Sequence, residues 1–552
     1  MSTQRILFVI PPYFNVDDYG SNNRASVLPP FTVPYGMLSL HAYLKANCEI
    51  PPELDILDLN LPLRQAVEKG EVDDILLRFE MLLADKVRDF QPTIVGISAL
   101  FNISFRYIQD IARVSRRSAP DALVVAGGGL PSAAYRQVLD LCPDVAAICK
   151  GEGEIPMRDL VDAKNQEELL ERHPSWITRQ GVQTGKVPGH TFVQNLDDIP
   201  MLDYGILDLD DYNSRSIDKR YAGQEKREMA IHTSRGCPFQ CVFCSNPSLH
   251  GRQVRAMSVE RVREEVRLMK ENWGLTVLLI EDDHFFFDKA RAKEVLRAMA
   301  EMDVRIEFPN GVAVYAIDEE VAELFGKAGV STVALAVESG SDYVLNKIIK
   351  KPLKIGIVKS RVEMLRRQGV QSHVFIVLGL PGEMAEHRQQ TLGLLLDVGF
   401  DWAHIFCAVP IFGSRLHDIC VENGYIEETN FLDHVNTKSV IRAPGVDPEE
   451  IERTAYQMNL AVNFVHNFNL KAGNFETATK YFQNVVDKYP GHAFGHYALA
   501  RAHSGAGRQE VAAASMSHFH AILASDDWWA EQARRHGLIE EGKPAEHPLE
   551  VA

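Results

Sequence analysis

No apolar run in this 552-residue chain approaches the ~20 residues that a membrane-spanning helix needs. Positive charge is in deficit: 58 Lys and Arg stand against 75 Asp and Glu, a formal net charge of −17. Nucleic-acid affinity comes largely from cations on phosphates, so RNA and DNA are poor expected partners. Cysteine is scarce, with eight in the chain, too few for a disulfide-stapled secreted fold. The opening Met1-Ser2-Thr3-Gln4-Arg5, followed by Ile6 to Ile10, runs into Pro11-Pro12 and is too short for a signal peptide. A cytoplasmic, reducing setting is the expectation. Apolar content of 46% and charged content of 24% are those of ordinary globular cores, here two to four domains.

Three of the eight cysteines are clustered. Cys237, Cys241 and Cys244 stand in Arg235-Gly236-Cys237-Pro238-Phe239-Gln240-Cys241-Val242-Phe243-Cys244-Ser245-Asn246. The pattern is C-x3-C-x2-C, with an aromatic residue before the last cysteine. Thiolates at this spacing can wrap one loop around three corners of a 4Fe-4S cluster. The fourth iron then has no protein ligand and is open to a small molecule carrying an amino group and a carboxylate. A structural zinc site needs a fourth protein donor, which would have to be borrowed from His232 or His250. Cys48, Cys142, Cys149, Cys407 and Cys420 are isolated and expected to be small buried residues.

Residues 1–165 alternate strand-like and helical stretches, with strands predicted at 5–10, 54–59, 93–98, 122–126 and 146–150. That alternation argues an α/β fold with a doubly wound parallel sheet. Ligands of such sheets lie beyond the C-terminal strand ends. Pro11-Pro12-Tyr13, residues 98–102, Gly127-Gly128-Gly129 and Gly151-Glu152-Gly153-Glu154 all fall there. Residues 166–225 read as a linker. Residues 226–430 hold six βα repeats, with strands predicted at 229–233, 276–280, 305–308, 331–337, 372–378 and 402–408. Six repeats suit a partial (β/α)6 barrel, with chemistry at the C-terminal strand ends. Residues 431–552 read as a C-terminal α-helical domain. Within it, 472–478 matches 506–512 at an offset of 34 residues, the tetratricopeptide (TPR) period. This domain is expected to cap the barrel and complete a substrate pocket, or else to offer helices for protein contact.

The cysteine motif is followed at successive strand ends by Glu281-Asp282-Asp283, Glu338-Ser339-Gly340-Ser341 and Gly379-Leu380-Pro381-Gly382-Glu383. This order resembles the radical S-adenosylmethionine (SAM) superfamily. The resemblance implies that SAM fills the open iron and is cleaved to a 5′-deoxyadenosyl radical. It also implies that Glu281 and Asp282 contact the SAM amino group and that Glu338 and Ser339 hold the ribose and carboxylate. Gly379 would belong to the fifth-strand glycine motif. Ala408 would offer backbone to adenine, with Phe243 packing on the ring. Taken singly, each acidic residue also suits a helix cap.

Residues 1–165 look like the cobalamin-binding domain that precedes many radical SAM domains. The residues carrying that likeness are Pro11-Pro12-Tyr13, Pro34-Tyr35-Gly36, Val95-Gly96-Ile97-Ser98 and the two glycine turns. It implies cobalamin contacts from Pro12, Tyr13, Ser98, Ala99, Phe101, Gly127, Gly128, Gly129, Gly151 and Glu152. No D-x-H-x-x-G is present: Asp282-Asp283-His284 begins like one, but Phe287 stands at its glycine position. The resemblance therefore implies base-off cobalamin with no histidine lower ligand.

Together the two likenesses imply a class B-like, cobalamin-dependent radical SAM methyltransferase. It would methylate an unactivated carbon, or a phosphinate phosphorus, of a small-molecule substrate through methylcobalamin and the adenosyl radical. An electron donor such as flavodoxin or ferredoxin is implied. Oxidative cyclases, rearrangement enzymes and coupling enzymes that have lost cobalamin share this layout. A tRNA-methylthiolating enzyme would need a second three-cysteine set and a basic tail, and the sequence has neither. A scaffold without chemistry would leave the cysteine loop without a role.

Overall fold

The structure, a computed structural model, describes residues 3–14, 33–69, 71, 75–212, 227–427 and 438–539. The expected boundaries at 225 and 430 fall outside these residues.

Short apolar runs build the first sheet. β1 (Arg5–Ile10), β2 (Glu53–Asp58), β3 (Ile94–Ser98), β4 (Leu123–Gly127) and β5 (Ala147–Cys149) are parallel, in the order β2-β1-β3-β4-β5. Successive side chains enter opposite cores. Leu7, Val9, Val95, Ile97, Val124 and Ala126 meet helices Ile75–Phe90 and Phe105–Ser118. Ile6, Phe8, Ile94, Val125 and Ala147 meet helices Tyr35–Asn47 and Glu154–Asp162. Burial of both faces is why these strands read as continuous apolar runs. The strand order switches direction between β1 and β3, and a crevice opens beyond the strand ends at such a point.

The segment expected as a linker is structured. β6 (Trp176–Thr178) adds an antiparallel edge to β5, and Val193, Leu196, Ile199, Leu202 and Tyr204 enter the core of the next region. A three-residue strand shows no periodicity, which is why the sequence concealed it.

The second region holds β7 (Glu228–Ile231), β8 (Ser234–Arg235), β9 (Arg255–Ala256), β10 (Val277–Ile280), β11 (Arg305–Glu307), β12 (Thr332–Glu338), β13 (Gln371–Leu378) and β14 (Trp402–Cys407). β7, β10 and β11 pair in parallel, as do β12, β13 and β14. A parallel bridge from Val312 to Leu335 joins the two sets, so these six strands follow one another in chain order. Helices Val259–Trp273, Lys289–Glu301, Glu319–Lys327, Val358–Arg367 and Ala385–Val398 connect them. β8 and β9 form a separate two-stranded ribbon beside the cysteine loop.

The C-terminal region is helical. Both copies of the 34-residue motif form the turn before a helix, Phe475–Lys488 in one case and Gln509–Ser525 in the other. Gly473 and Gly507 adopt φ of +75° and +79° there, a conformation that only glycine takes without strain.

Among the described residues β14 has no strand partner on its outer side, where a bare edge is open to unwanted pairing. Asn463 covers it. Its side chain accepts from Ala403 N and donates to Ala403 O, each at 2.8 Å. Asn463 lies in a π-helical turn, Leu460–Val465, and is 1% exposed. Asn463→Ala strands two buried backbone groups. It is expected to lower unfolding free energy by about 2 kcal/mol, read as a lower urea midpoint at unchanged slope.

Candidate active site

The cysteine loop leaves β8 through Gly236. Its φ is +92°, and a Cβ there would lie 2.5 Å from Gln253 O, so no side chain fits. Asp283 fixes the loop from β10, accepting from Gly236 N at 2.9 Å and from Asn246 Nδ2 at 2.6 Å. Val242 N donates to Ile349 O at 3.0 Å. Cys237, Cys241 and Cys244 are unpaired and half-buried. Burial pushes all three thiols up, Cys244 to about 12, while the Lys351 ammonium opposes the shift at Cys237 and Cys241. Thiolates form here when metal displaces the protons. Among the described residues, no three His, Cys, Asp or Glu side chains are gathered as for one metal ion. Three soft donors from a single loop suit an iron–sulfur cluster.

The expected SAM contacts divide into two groups. Glu281 lies in the cleft, 3.4 Å from His232 Nε2. Asp282 departs from expectation. It is buried, and its oxygens accept from Thr233 N, Thr233 Oγ1 and Ser234 Oγ at 2.6 to 2.7 Å. It therefore locks the end of β7 to β8 instead of reaching outward. Glu338 closes β12 at a register shift with φ of +71°, and Lys351 binds its Oε1 at 3.0 Å. A non-glycine residue in that conformation costs about 1–2 kcal/mol. Ser339 is buried, with Oγ 3.3 Å from Thr391 Oγ1. Beside it, the Ser341 Oγ is buried and has no hydrogen-bond partner, an orphan that a bound ligand would satisfy. Gly379, with φ of +87°, donates its N–H to Glu383 Oε2 at 2.6 Å. Burial raises that carboxyl to about 7, and its Oε1 has no partner. Ala408 N is taken by Leu378 O at 2.7 Å. Phe243 packs partly buried against the main core.

A cavity of about 640 Å³ lies between the C-terminal ends of the first sheet and those of β7, β10 and β11. Of the residues expected at cobalamin, Tyr13, Ser98, Phe101, Gly127, Gly128, Gly151 and Glu152 line it. Pro12, Ala99 and Gly129 are not on its wall. Pro11 takes the place of Pro12, whose carbonyl accepts from Ser104 Oγ at 2.9 Å. Ala99 is buried with both backbone groups bonded, and Gly129 opens the short helix Gly129–Ala133. The far wall holds His232, Arg235, His250, Glu281 and Asn310. His232, weighed from the sequence only as a spare zinc donor, and Asn310, an isolated polar residue after β11, both stand on this wall. Exposed backbone and apolar surface on the first-sheet side suit a broad, flat cofactor.

Glu152 touches the cavity, but its carboxylate is committed elsewhere. It accepts from Arg235 at 3.0 Å, from Arg255 at 2.9 Å and lies 2.9 Å from His250 Nδ1. Glu154 accepts from the same Arg235 at 2.9 Å and from Ser39 at 2.7 Å. Arg235 and Arg255 lie on β8 and β9, flanking the cysteine loop. Burial alone would raise the Glu152 carboxyl, but Arg235, Arg255 and His250 together hold it well below the carboxylate range. Its folded value is thus below the unfolded 4.5, so its stabilisation is present above that pH and is lost as pH falls toward the folded value. Glu152→Gln leaves buried cations uncompensated. It is expected to cost about 3–5 kcal/mol at neutral pH and progressively less below pH ~4.5, measured by urea denaturation across a pH series.

Comparison with known proteins agrees with this geometry. The Radical SAM superfamily matches residues 231–395 and the B12 binding domain matches residues 25–161. The chain is 28% identical over 468 residues to cytidylyl-2-hydroxyethylphosphonate methyltransferase of Streptomyces wedmorensis, covering 79% of this chain and 87% of that one. It is 26% identical over 406 residues to the anaerobic magnesium-protoporphyrin IX monomethyl ester cyclase of Rubrivivax gelatinosus, covering 72% and 67%. The fold resembles the solved cobalamin-dependent S-adenosylmethionine radical enzyme OxsB, with a TM-score of 0.62 at 13% identity over 98% of this chain and 82% of that one. Among the described residues no helix is long and apolar enough to cross a membrane. The chain is a radical SAM enzyme with a B12-binding domain.

Proposed function

We propose that this enzyme is a methyltransferase that places a methyl group on an unactivated carbon, or on a phosphinate phosphorus, of a small molecule. The observation that carries the reading is the shared cleft. The ligand-binding ends of the first sheet and of β7, β10 and β11 face one cavity, and the cysteine loop is tied to it through Arg235. The scaffold of that second region is read as a partial (β/α)6 barrel, and residues 475–535 as two TPR-like hairpins covering its far end.

When bound, the cluster would supply one electron to SAM, and cobalamin would carry a methyl group. The chain's own residues hold and shield. Cys237, Cys241 and Cys244 would hold the cluster. Glu281, Glu338, Ser339 and Ser341 would bind SAM, with Lys351 balancing the Glu338 charge and Phe243, Gly379 and Ala408 shaping the adenine side. Asp282 and Asp283 would orient the loop without touching SAM. Tyr13, Ser98, Phe101, Gly127, Gly128 and Gly151 would cradle cobalamin. The cobalamin is read as base-off, without a histidine lower ligand. Closing the barrel mouth with the first sheet and its cofactor would exclude water from a radical. No general base is needed, because the acceptor is activated by loss of a hydrogen atom.

Cys237→Ala, Cys241→Ala and Cys244→Ala are each expected to abolish SAM cleavage, measured as 5′-deoxyadenosine after anaerobic reconstitution with iron and sulfide. Retained cleavage in any of them refutes the cluster assignment. Reconstitution with hydroxocobalamin should give a base-off cob(II)alamin EPR signal near one per chain. Turnover should then release S-adenosylhomocysteine and 5′-deoxyadenosine together. The likeness to the cyclase favours one second reading, oxidative cyclisation, in which 5′-deoxyadenosine forms without S-adenosylhomocysteine.

A further inference from the structure

β12, β13 and β14 bury one face and leave the other part-open. Val374, Ile376, Leu378, Ala403 and Cys407 are buried in the main core. Their neighbours His373, Phe375, Trp402, His404 and Phe406 keep partial exposure on the opposite face. Register places Ala334 beside His373 beside Trp402, and Ala336 beside Phe375 beside His404. Two alanines stand among these rings, where a fully closed barrel carries bulky branched side chains. The rings form walls: Phe375 to His404 at 5.6 Å, Phe375 to Phe406 at 5.9 Å, and His404 stacked on Phe406 at 6.2 Å. The C-terminal helix Phe475–Lys488 supplies the floor, with Tyr481 stacked on Trp402 at 5.7 Å.

A directed hydrogen-bond chain runs from that floor. Tyr481 Oη donates to Gln371 Oε1 at 2.7 Å, and Thr332 Oγ1 donates to the same oxygen at 3.4 Å. Tyr481 Oη is therefore an acceptor toward His373 Nε2, 2.7 Å away. With its proton on Nε2, His373 presents a bare Nδ1, which accepts from His404 Nε2 at 3.2 Å. His404 then carries its proton on Nε2 and a lone pair on Nδ1. Burial holds this imidazole neutral, down to about 4.

We propose that His404 Nδ1 accepts a hydrogen bond from the substrate, and that the ring-lined inner face selects a planar apolar body ending in a hydroxyl or N–H donor. His373 and Tyr481 are positioning residues that set the tautomer. His404 lies three residues before the end of β14, roughly 10 Å below the strand ends at ~3.3 Å per residue. The donor and the reacting atom of the substrate are therefore separated by about that length. This rests on the barrel reading above, but its test uses no turnover and so fails or succeeds independently of methylation.

The probes are phenol, anisole and pyridine, titrated into the full-length reconstituted enzyme in its oxidised state and followed by saturation-transfer NMR. Phenol is expected to bind about tenfold more tightly than anisole, the worth of one hydrogen bond, and pyridine no better than anisole. His404→Phe should bring the phenol-to-anisole ratio near one. Tyr481→Phe, close to isosteric, should narrow the ratio while leaving the anisole affinity unchanged, an effect that a purely structural role would not produce. Equal phenol and anisole affinities, tighter pyridine, no binding of any probe, or a ratio that survives His404→Phe each overturn the assignment.

Discussion

Two short ribbon strands, β8 and β9, carry the cysteine loop, and a buried group of charges holds them in place. Arg235 and Arg255 come from the ribbon, Glu152 and Glu154 from the end of the first sheet, and His250 from the short helix between. Isolated charges in such a setting cost several kcal/mol each to desolvate, and mutual pairing offsets this only when geometry is good. The group adds little net stability over an apolar equivalent. Its return is specificity, because carboxylate and guanidinium accept one another in few orientations. The loop and the first sheet thus meet in one register, and the cavity between them has fixed walls.

The parallel strands were legible because they are continuous apolar runs, and the loop because three thiols at that fixed spacing suit little besides a cluster. Within the glycine turns, the sequence pointed to the right strand ends but not to the right atoms. Glu152 is adjacent to glycines and on the cavity wall, yet its partners are more than 80 residues away along the chain, and no local pattern could foretell that. Asp282 and Asp283 are adjacent carboxylates with different duties, one closing β7 on β8 and the other fixing Gly236 and Asn246. Only the direction of each side chain separates them. β6 and the 193–204 packing segment escaped notice because short extended pieces have no period.

The ends of β12 and β13 carry both strain and orphaned polar groups. Glu338 is held at positive φ, the Ser341 hydroxyl lacks a partner, and Glu383 keeps one unbonded oxygen. Such features persist only where the surroundings over-determine them. Lys351, whose place in the sequence suits a solvated face as well as a carboxylate partner, is bonded to Glu338 and electrostatically felt at Cys237 and Cys241. It links the strained strand end to the cysteine loop, so these two parts of the site share one charge balance.

Asn463 caps the edge of β14, and Tyr481, on a neighbouring helix, closes the floor beneath it. The C-terminal helices are therefore attached at the N-terminal ends of β13 and β14, away from the strand ends that carry Gly379 and Ala408. Changes there can reshape the ring-lined face of β13 and β14 while the cysteine loop and the glycine turns remain as they are. The helical region and the sheet are thus joined through the side chains of Asn463 and Asn469, the hydrogen bonds of Tyr481 and the rings stacked around Trp402.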